Sequence, residues 1–461
     1  MRNPHHIAVI DIGKTNAKLA LVDLDTLSEI AVRTRPNVVL PGPPWRHFDT
    51  EGHWDFLLNG LKALHAEQGI DAISVTTHGA SVVLLDARAD LAAPVLDYEQ
   101  PIPSDVSRAY DAMRPAFAKT GSPRLANGLN VGAQLHYQFN QDPSLRDRTK
   151  HIVGYPQYWG HRLTGEMAWD VTSIGCHTDL WQPVAGQFSE LVDRLGIADK
   201  MAPVRHSADI LGTILPEIAA ATGLPKNTPV SVGIHDSNAS LYPHLLTEEA
   251  PFSVVSTGTW VVAMAVGGKV QDLDPTRDTL VNVTAMGQPL PSARFMGGRE
   301  YEIIQAGQSQ PPTPQDVAQV LANAVMILPA VEPSSGPFGG HQMRWRGGEP
   351  ALGSGQRSAA LAFYLAMMTN TCLSLLEAKG MTIVEGPFAQ NKAFRTMLSV
   401  ATGRPVLNGQ SSTGTSIGAS LLFSKGMTPV LPKLDAIEED AKEYQAYAKE
   451  WYLHTSQTPN G

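Results

Sequence analysis

Residues 7–25 read IAVIDIGKTNAKLALVDLD and bring Asp11, Gly13, Lys14, Thr15, Asn16 and Lys18 into one short stretch. A carboxylate beside a glycine and a run of donors suits a phosphate and its magnesium. Glycine lets the backbone come close, Thr15 and Asn16 hydrogen-bond phosphate oxygens, Lys14 or Lys18 offsets charge, and Asp11 faces the metal. One carboxylate is sufficient, because Mg²⁺ keeps several waters and bridges phosphates through only one or two protein acids. A hairpin turn chosen for backbone geometry alone uses the same residue types. The Gly-Lys-Thr string is not the end of a P-loop, which needs a glycine five positions before Gly13, where Ala8 stands, and a helix directly after the lysine. Here Ala17, Leu19 and Leu21 alternate with Asn16, Lys18 and Ala20, the period of a half-buried strand.

Further chemistry-bearing strings fall at the ends of apolar runs. Ser256-Thr257-Gly258-Thr259 repeats the small, donor-rich makeup without an acid and suits distal phosphates, or is a plain turn. PVSVGIHDSNASLY (229–242) reads as a strand ending at Gly233 and a helix beginning near Asp236. In open α/β sheets such a junction is where ligands bind. Asp236 there can take a proton from a substrate hydroxyl, with His235 beside it as a substrate contact. Asp is equally one of the best helix N-caps. His78-Gly79-Ala80 and Tyr98-Glu99-Gln100 follow short extended runs, and their polar groups and one ring can hold a polyol; a surface loop accounts for either as well. TIVEGPFAQN (382–391) and STGTSIGAS (412–420) put small residues at two strand-to-helix junctions, where an adenine ring can slide between backbones or two helices can simply pack.

These strings need a scaffold that turns strand ends toward one place. The apolar runs 7–12, 17–23, 71–77, 82–86, 151–154 and 229–234 alternate with helical patterns, which indicates an α/β architecture. A second series opens at 252–266 with the same strand–turn–strand design about 245 positions after the first, indicating a duplicated domain plan. The break between them is expected at 243–251, giving domains 1–245 and 246–461. Loops are expected at 308–316 and 332–349, and a helix over 357–379 that stops at Gly380. Tyr444, Tyr447 and Trp451, three and four apart, make a packing face on a terminal helix.

With 461 residues the chain is too long for one core. Hydrophobic residues make up 43% and charged residues 17%, and no run reaches the roughly 18 unbroken apolar residues of a membrane span. The start, Met-Arg-Asn-Pro-His-His, is not an export signal, and two distant cysteines form neither a disulfide framework nor a zinc site, so a cytoplasmic location is expected. A net charge of −9 excludes a broad nucleic-acid surface and leaves small molecules as partners.

Taken in order, the segments DIGKTNAK, TTHGASVVLLD, YWGHRLTGEMAWDVTSIGCHTDLW, PVSVGIHDSNAS, VVSTGTW, GPFAQN, TGRPV and GTSIGASLL resemble the FGGY carbohydrate kinases of the sugar kinase, actin and Hsp70 superfamily, over nearly the whole chain. The resemblance implies two RNase H-like (actin-like ATPase) domains, each a five-stranded mixed sheet flanked by helices, with a catalytic cleft between them that closes on sugar and ATP. It implies Asp236 as catalytic base and Asp11 as the Mg²⁺-side acid. His78, Gly79, Tyr98, Glu99 and His235 fall to the sugar. Gly13, Lys14, Thr15, Asn16, Thr257, Gly258, Thr259, Gly386, Gln390 and Asn391 fall to ATP.

The chain departs from the family in reading Glu385-Gly386-Pro387-Phe388 where consecutive glycines and a serine are usual, and Gly-Pro-Phe-Gly-Gly where Gly-Glu-Arg is frequent. It lacks the Gln-Met-His-Gly and Trp-Asn-Asp strings of xylulose kinases, which weighs toward a ketose or 6-deoxyketose of the L-rhamnulose or L-fuculose type. Two alternatives stand beside a kinase: a sugar or nucleotide sensor, which needs neither Asp11 nor Asp236, and a superfamily ATPase, marked by sugar-independent turnover. Nothing in the chain fixes its oligomeric state; a homodimer is allowed.

Overall fold

The computed structural model describes residues 4–409, 414–424 and 442–456. The chain divides into two compact units. Of the described residues, the first holds those up to Thr247 with Val281–Pro289 and a stretch from Thr415; the second holds Glu248–Leu280, the residues from Leu290 to 409 with Gly414, and Lys442–Ser456. Neither unit is one uninterrupted half of the chain, because segments from beyond residue 245 return to the first.

The first unit carries β1 (His6–Ile12), β2 (Asn16–Asp23), β3 (Ser28–Pro36), β4 (Ala72–Thr77), β5 (Ile210–Thr213), β6 (Pro229–Ser231) and β7 (Ile234–His235) in one sheet, ordered β5-β6-β4-β1-β2-β3 with β7 also on β4. A second sheet holds β8 (Phe252–Thr257), β9 (Val261–Val266), β10 (Thr279–Val283), β11 (Pro289–Phe295), β12 (Thr382–Glu385) and β13 (Val406–Asn408), ordered β10-β11-β9-β8-β12-β13. The runs β3-β2-β1-β4-β6 and β11-β9-β8-β12-β13 are the same five-strand plan, with two antiparallel pairings followed by two parallel ones. The expected five-stranded sheet is therefore the shared part of larger sheets of seven and six strands.

In β1, Ile7 and Val9 pack into the cluster that contains Ile417 and Ala419, while Ala8, Ile10 and Ile12 join the large core on the other face. From Ile7 to Ile10 the strand is apolar at every position because both faces are covered. β2 corrects the half-buried reading: Leu19, Ala20, Leu21 and Val22 are all fully buried, and only the strand's ends, Asn16 and Lys18 next to the turn and Asp23 at the other end, keep a wet side.

Seven helices matter to the argument: α1 (Thr50–Gln68), α2 (Asp236–Thr247), α3 (Gly297–Gln305), α4 (Gly355–Leu375), α5 (Lys392–Thr402), α6 (Gly414–Ser420) and α7 (Lys442–Ser456). The carboxylate of Asp49 caps α1 by accepting the Gly52 N–H at 3.0 Å, and Trp54, Leu57, Leu61 and Leu64 form its buried stripe. α4 is long and apolar enough by composition to cross a membrane, but 89% of its apolar window is buried inside the protein, as in a core helix. It ends at Leu375, short of the expected 379. On α7, Tyr447 and Trp451 are buried and donate to Val325 O and Ile327 O at 2.9 and 2.8 Å, the packing face their spacing indicates.

Three local readings change. Pro94–Leu96 is no strand but touches His47 through a single bridge at Leu96. Pro314 opens a helix within the stretch expected as a loop, and Arg344–Arg346 is a short strand within the other. Ser412 and Thr413, at the second expected adenine junction, lie outside the described residues.

Candidate functional site

In the first unit, β1, β4 and β7 run parallel, and their register sets Asp11 and Ile234 on either side of Thr76, with Ile12 and His235 on either side of Thr77. Their carboxyl ends therefore share one edge, where β1 delivers Asp11 and β7 leads straight into Asp236, the first residue of α2. The strand read as continuous to Gly233 is broken there: Gly233 has φ +98°, and a Cβ on it would lie 2.8 Å from Val75 O.

Asp236 Oδ1 accepts the Ser237 N–H at 2.6 Å and lies 3.1 Å from His235 Nε2. The bond to the next residue is not the N-cap bond, which reaches an N–H two or three residues on. Both contacts fall on Oδ1, so Oδ2 is the oxygen open to a ligand. The His235 N–H donates to Thr172 Oγ1 at 2.9 Å, and that hydroxyl donates to the fully buried Asp170, which also accepts the Thr172 N–H at 2.9 Å. This chain, to which the string WDVTS contributes Asp170 and Thr172, anchors the backbone N–H of His235, the residue directly before Asp236.

Withdrawal from water lifts the Asp11 carboxyl to about 6; Lys18 opposes this, and the charge of Asp236 adds to it. Lys18, cross-strand from Asp11, has its ammonium 3.5 Å from Asp11 Oδ2 and 3.1 Å from Glu29 Oε1. Thr76 Oγ1, paired in register with Asp11 and so on the same face, is buried with no hydrogen-bond partner, as are both amide atoms of Asn238 in the first turn of α2. Among the described residues no three His, Cys, Asp or Glu converge as a closed metal cage. Two neighbouring carboxylates and spare oxygens do fit a hydrated Mg²⁺ carried by a phosphate.

The turn itself is clamped from below. Gly13 N–H donates to Asn16 O at 2.9 Å, Asn37 N–H donates to Thr15 O at 2.8 Å, and Asn37 Nδ2–H donates to Gly13 O at 2.8 Å. Asn37 Oδ1 is 2.8 Å from His53 Nε2, and His53 Nδ1 is 2.8 Å from Arg35 Nη1, while Arg35 Nη2 pairs with Asp49. Arg can only donate, so Nδ1 accepts and the His53 proton sits on Nε2. Burial, helped by the Arg35 charge, pushes His53 down to about 4 and keeps it neutral. Thr15 and Asn16 remain exposed at the tip.

Lys14 turns the other way. Its ammonium pairs with the fully buried Asp97, lies 3.5 Å from Glu99 Oε2, and sits 4.5 Å from the Tyr98 ring centre. His78, Tyr98 and Glu99 are thus brought together with Lys14 and with Asp97, which sequence reasoning missed. His78 Nδ1–H donates to Gly79 O at 2.8 Å, so Nε2, buried and without a protein partner, is an acceptor. Burial pushes this imidazole down to about 4, and Phe48, Tyr98 and Tyr155 pack around it at 5.0–5.4 Å. A Cβ on Gly79 would lie 2.8 Å from His235 Nε2, so this glycine exists for close approach to the residue that contacts Asp236.

In the second unit, Gly258 and Thr259 are exposed at the β8–β9 tip, with Gly258 N–H donating to Trp260 O at 3.0 Å. The Thr257 hydroxyl is engaged elsewhere: it donates to Glu385 O at 2.6 Å and accepts the Phe388 N–H at 3.1 Å. Gly386, at φ +85°, would place a Cβ 2.1 Å from Thr257 O, so the β12 junction and the hairpin are locked backbone to backbone. Asn391 caps α5 through the Phe394 N–H at 3.1 Å. Gln390 and Asn391 line a cavity of about 630 Å³ together with Tyr301, Pro314, Val317 and Tyr444.

Residues 6–242 match the N-terminal domain of the FGGY family of carbohydrate kinases, and residues 249–430 match the FGGY carbohydrate kinase C-terminal domain. The chain belongs to the FGGY family of carbohydrate kinases. A solved carbohydrate kinase from Novosphingobium aromaticivorans is 35% identical and superimposes with a TM-score of 0.85, covering 97% of this chain and 100% of that one. A ligand-bound xylulose kinase from Lactobacillus acidophilus, 17% identical with a TM-score of 0.80 over 98% and 97% of the two chains, shares the same actin-like ATPase fold. Among curated proteins, an L-fuculokinase of Salmonella typhi is 25% identical over 272 residues, 57% of each chain. The xylulose kinase of Escherichia coli (strain K12) is 24% identical over 263 residues, 56% of this chain and 53% of its own. The chain spans little more than half the length of these curated relatives.

Proposed function

We propose that the protein transfers the γ-phosphoryl group of ATP to a hydroxyl of a ketose or 6-deoxyketose of the L-rhamnulose or L-fuculose type. The observation that carries the reading is Asp236: it opens a helix at the carboxyl edge of a parallel sheet, beside Asp11, with one carboxylate oxygen held by His235 and Ser237 and the other open. Oδ2 accepts the proton of the attacking hydroxyl, and the Asp170–Thr172–His235 chain holds it in line. The sugar lies against His78 Nε2, Gly79, Tyr98 and Glu99, whose several acceptors satisfy a polyol. In the first unit the Gly13, Thr15 and Asn16 tip offers amides and hydroxyls to phosphates; in the second unit the Gly258 and Thr259 tip offers the same chemistry, and the cavity at Gln390 and Asn391 suits a nucleobase.

Asp11 would hold Mg²⁺, with Thr76 and Asn238 available to its water shell; when bound, the ion offsets charge on the phosphates. Two buried cysteines outside any disulfide suit a reducing cytoplasm. The similarity to an L-fuculokinase and the sugar-side residues support a ketose acceptor. A coupled ADP-release assay across ketoses, aldonates and glycerol tests the reading. ADP release that rises at least ~100-fold with one ketose supports it; equal ATP turnover with and without sugar marks an ATPase instead.

A further inference from the structure

Resting on that kinase reading, we infer that Lys14 is a specificity residue for the acceptor sugar and not a ligand of the phosphates. Its backbone belongs to the phosphate hairpin, but its side chain leaves the tip. Only 16% exposed, it reaches Asp97, which is fully buried, and Glu99, and its ammonium lies over Tyr98 at 4.5 Å and Phe48 at 5.3 Å. These are the groups that surround His78. Lys18 remains on the Asp11 side as the hairpin's cation toward the phosphates.

An ammonium has three protons. One is donated to Asp97 and Glu99 lies at ion-pair distance, which leaves donor capacity for a sugar oxygen beside the acceptors His78 Nε2 and Glu99. The charge census then restricts the substrate. Lys14 pairs with Asp97 and Glu99, and Arg46 Nη2 lies 3.4 Å from Asp97 Oδ2; Asp236 joins Lys14 and Asp97 in acting on His78, which burial keeps neutral. Two cations against three anions leave one net negative charge, so the pocket admits a neutral polyhydroxy ketone and repels a sugar acid. A lysine in a sugar pocket would ordinarily suggest a carboxylate partner; here Asp97 and Glu99 already occupy it.

Removing Lys14 alone strands a buried carboxylate and risks the fold. The test therefore uses the double variant Lys14→Met with Asp97→Asn, and Lys14→Arg, which keeps the charge. KM for ATP and for the best ketose, and melting shifts with L-rhamnulose, L-fuculose and D-gluconate, are measured on each. The expected result is a ketose KM raised at least ~10-fold in the double variant with the ATP KM within ~2-fold, and no melting shift of the wild type by D-gluconate. A raised ATP KM with an unchanged ketose KM overturns the assignment, and so does stabilisation of the wild type by D-gluconate. A wild type that binds a ketose without phosphorylating it sinks the kinase reading, and the melting shifts still judge Lys14.

Discussion

The two hairpins, β1–β2 and β8–β9, occupy the same place in the same five-strand plan, yet they are finished differently. The first carries Asp11, Lys14 and Lys18, and side chains of other elements hold its turn: Asn37 and, behind it, His53 and Arg35. The second carries no charge, and its brace is its own neighbour, with the Thr257 hydroxyl and Gly386 tying it to the next strand's end. A duplicated backbone thus supplies two donor-rich turns. Which of them does charge chemistry depends on side chains that the duplication does not repeat. Charges at the first tip have to be positioned against one another, so it needs a clamp of directed hydrogen bonds; a neutral tip needs only a fixed backbone.

The largest break of this contrast is Asp11→Asn. Magnesium-dependent turnover should be lost, and the protein should remain folded. The burial that raises this carboxyl above its unfolded value of 3.8 to about 6 favours the protonated form in the fold, so its stability contribution is present below pH ~4 and is lost as pH rises through 6. The variant should therefore melt at or above the wild type at pH 8, and the difference should shrink at pH 5. For the wild type, activity should show an acid limb near pH 6 that moves lower as Mg²⁺ is raised, because the metal competes with the proton. Undiminished activity in the variant at ordinary magnesium would contradict the assignment.

A smaller effect is expected from Asn37→Ala, which removes the donor to Gly13 O but leaves the backbone bond from residue 37 to Thr15. Stability should fall by about 1–3 kcal/mol, the cost of leaving a buried polar group unpaired, because the His53 Nε2–H also loses its acceptor. kcat/KM for ATP should fall about 10-fold, since the tip is no longer held in one geometry. An ATP titration beside a melting curve checks both, and an unchanged kcat/KM would make the clamp purely structural.

What could be read from the residues was local. Strand periods around Gly13 and Gly258, and the apolar run into His235-Asp236, placed both hairpins and the helix start within one or two positions, because period and turn chemistry act over a few residues. The sequence sets Lys14 among phosphate-side neighbours, whereas its partner Asp97 stands 83 positions away, and no spacing rule connects them. Asn37 and His53, and Asp170 and Thr172 behind His235, escaped for the same reason. Side-chain chains between distant elements leave no periodic trace, although Asp97, directly before Tyr98 and Glu99, was a signal within reach. The two-sided burial of β2 was partly visible in Ala20 and Val22, which an exposed face would not favour. The sixth and seventh strands arise from β5 and the short β7, whose two residues are too few to show alternation.

The central claim is that Asp236 is a base and not a helix cap, and Asp236→Asn tests it most directly. Asn caps a helix about as well as Asp, so on the cap reading melting temperature and activity both survive. An amide cannot take the sugar's proton. kcat should then fall by roughly 10²–10⁴ with melting temperature and ketose affinity nearly unchanged, since Asn still hydrogen-bonds the hydroxyl. A near-normal kcat in a well-folded Asp236→Asn protein would contradict the account.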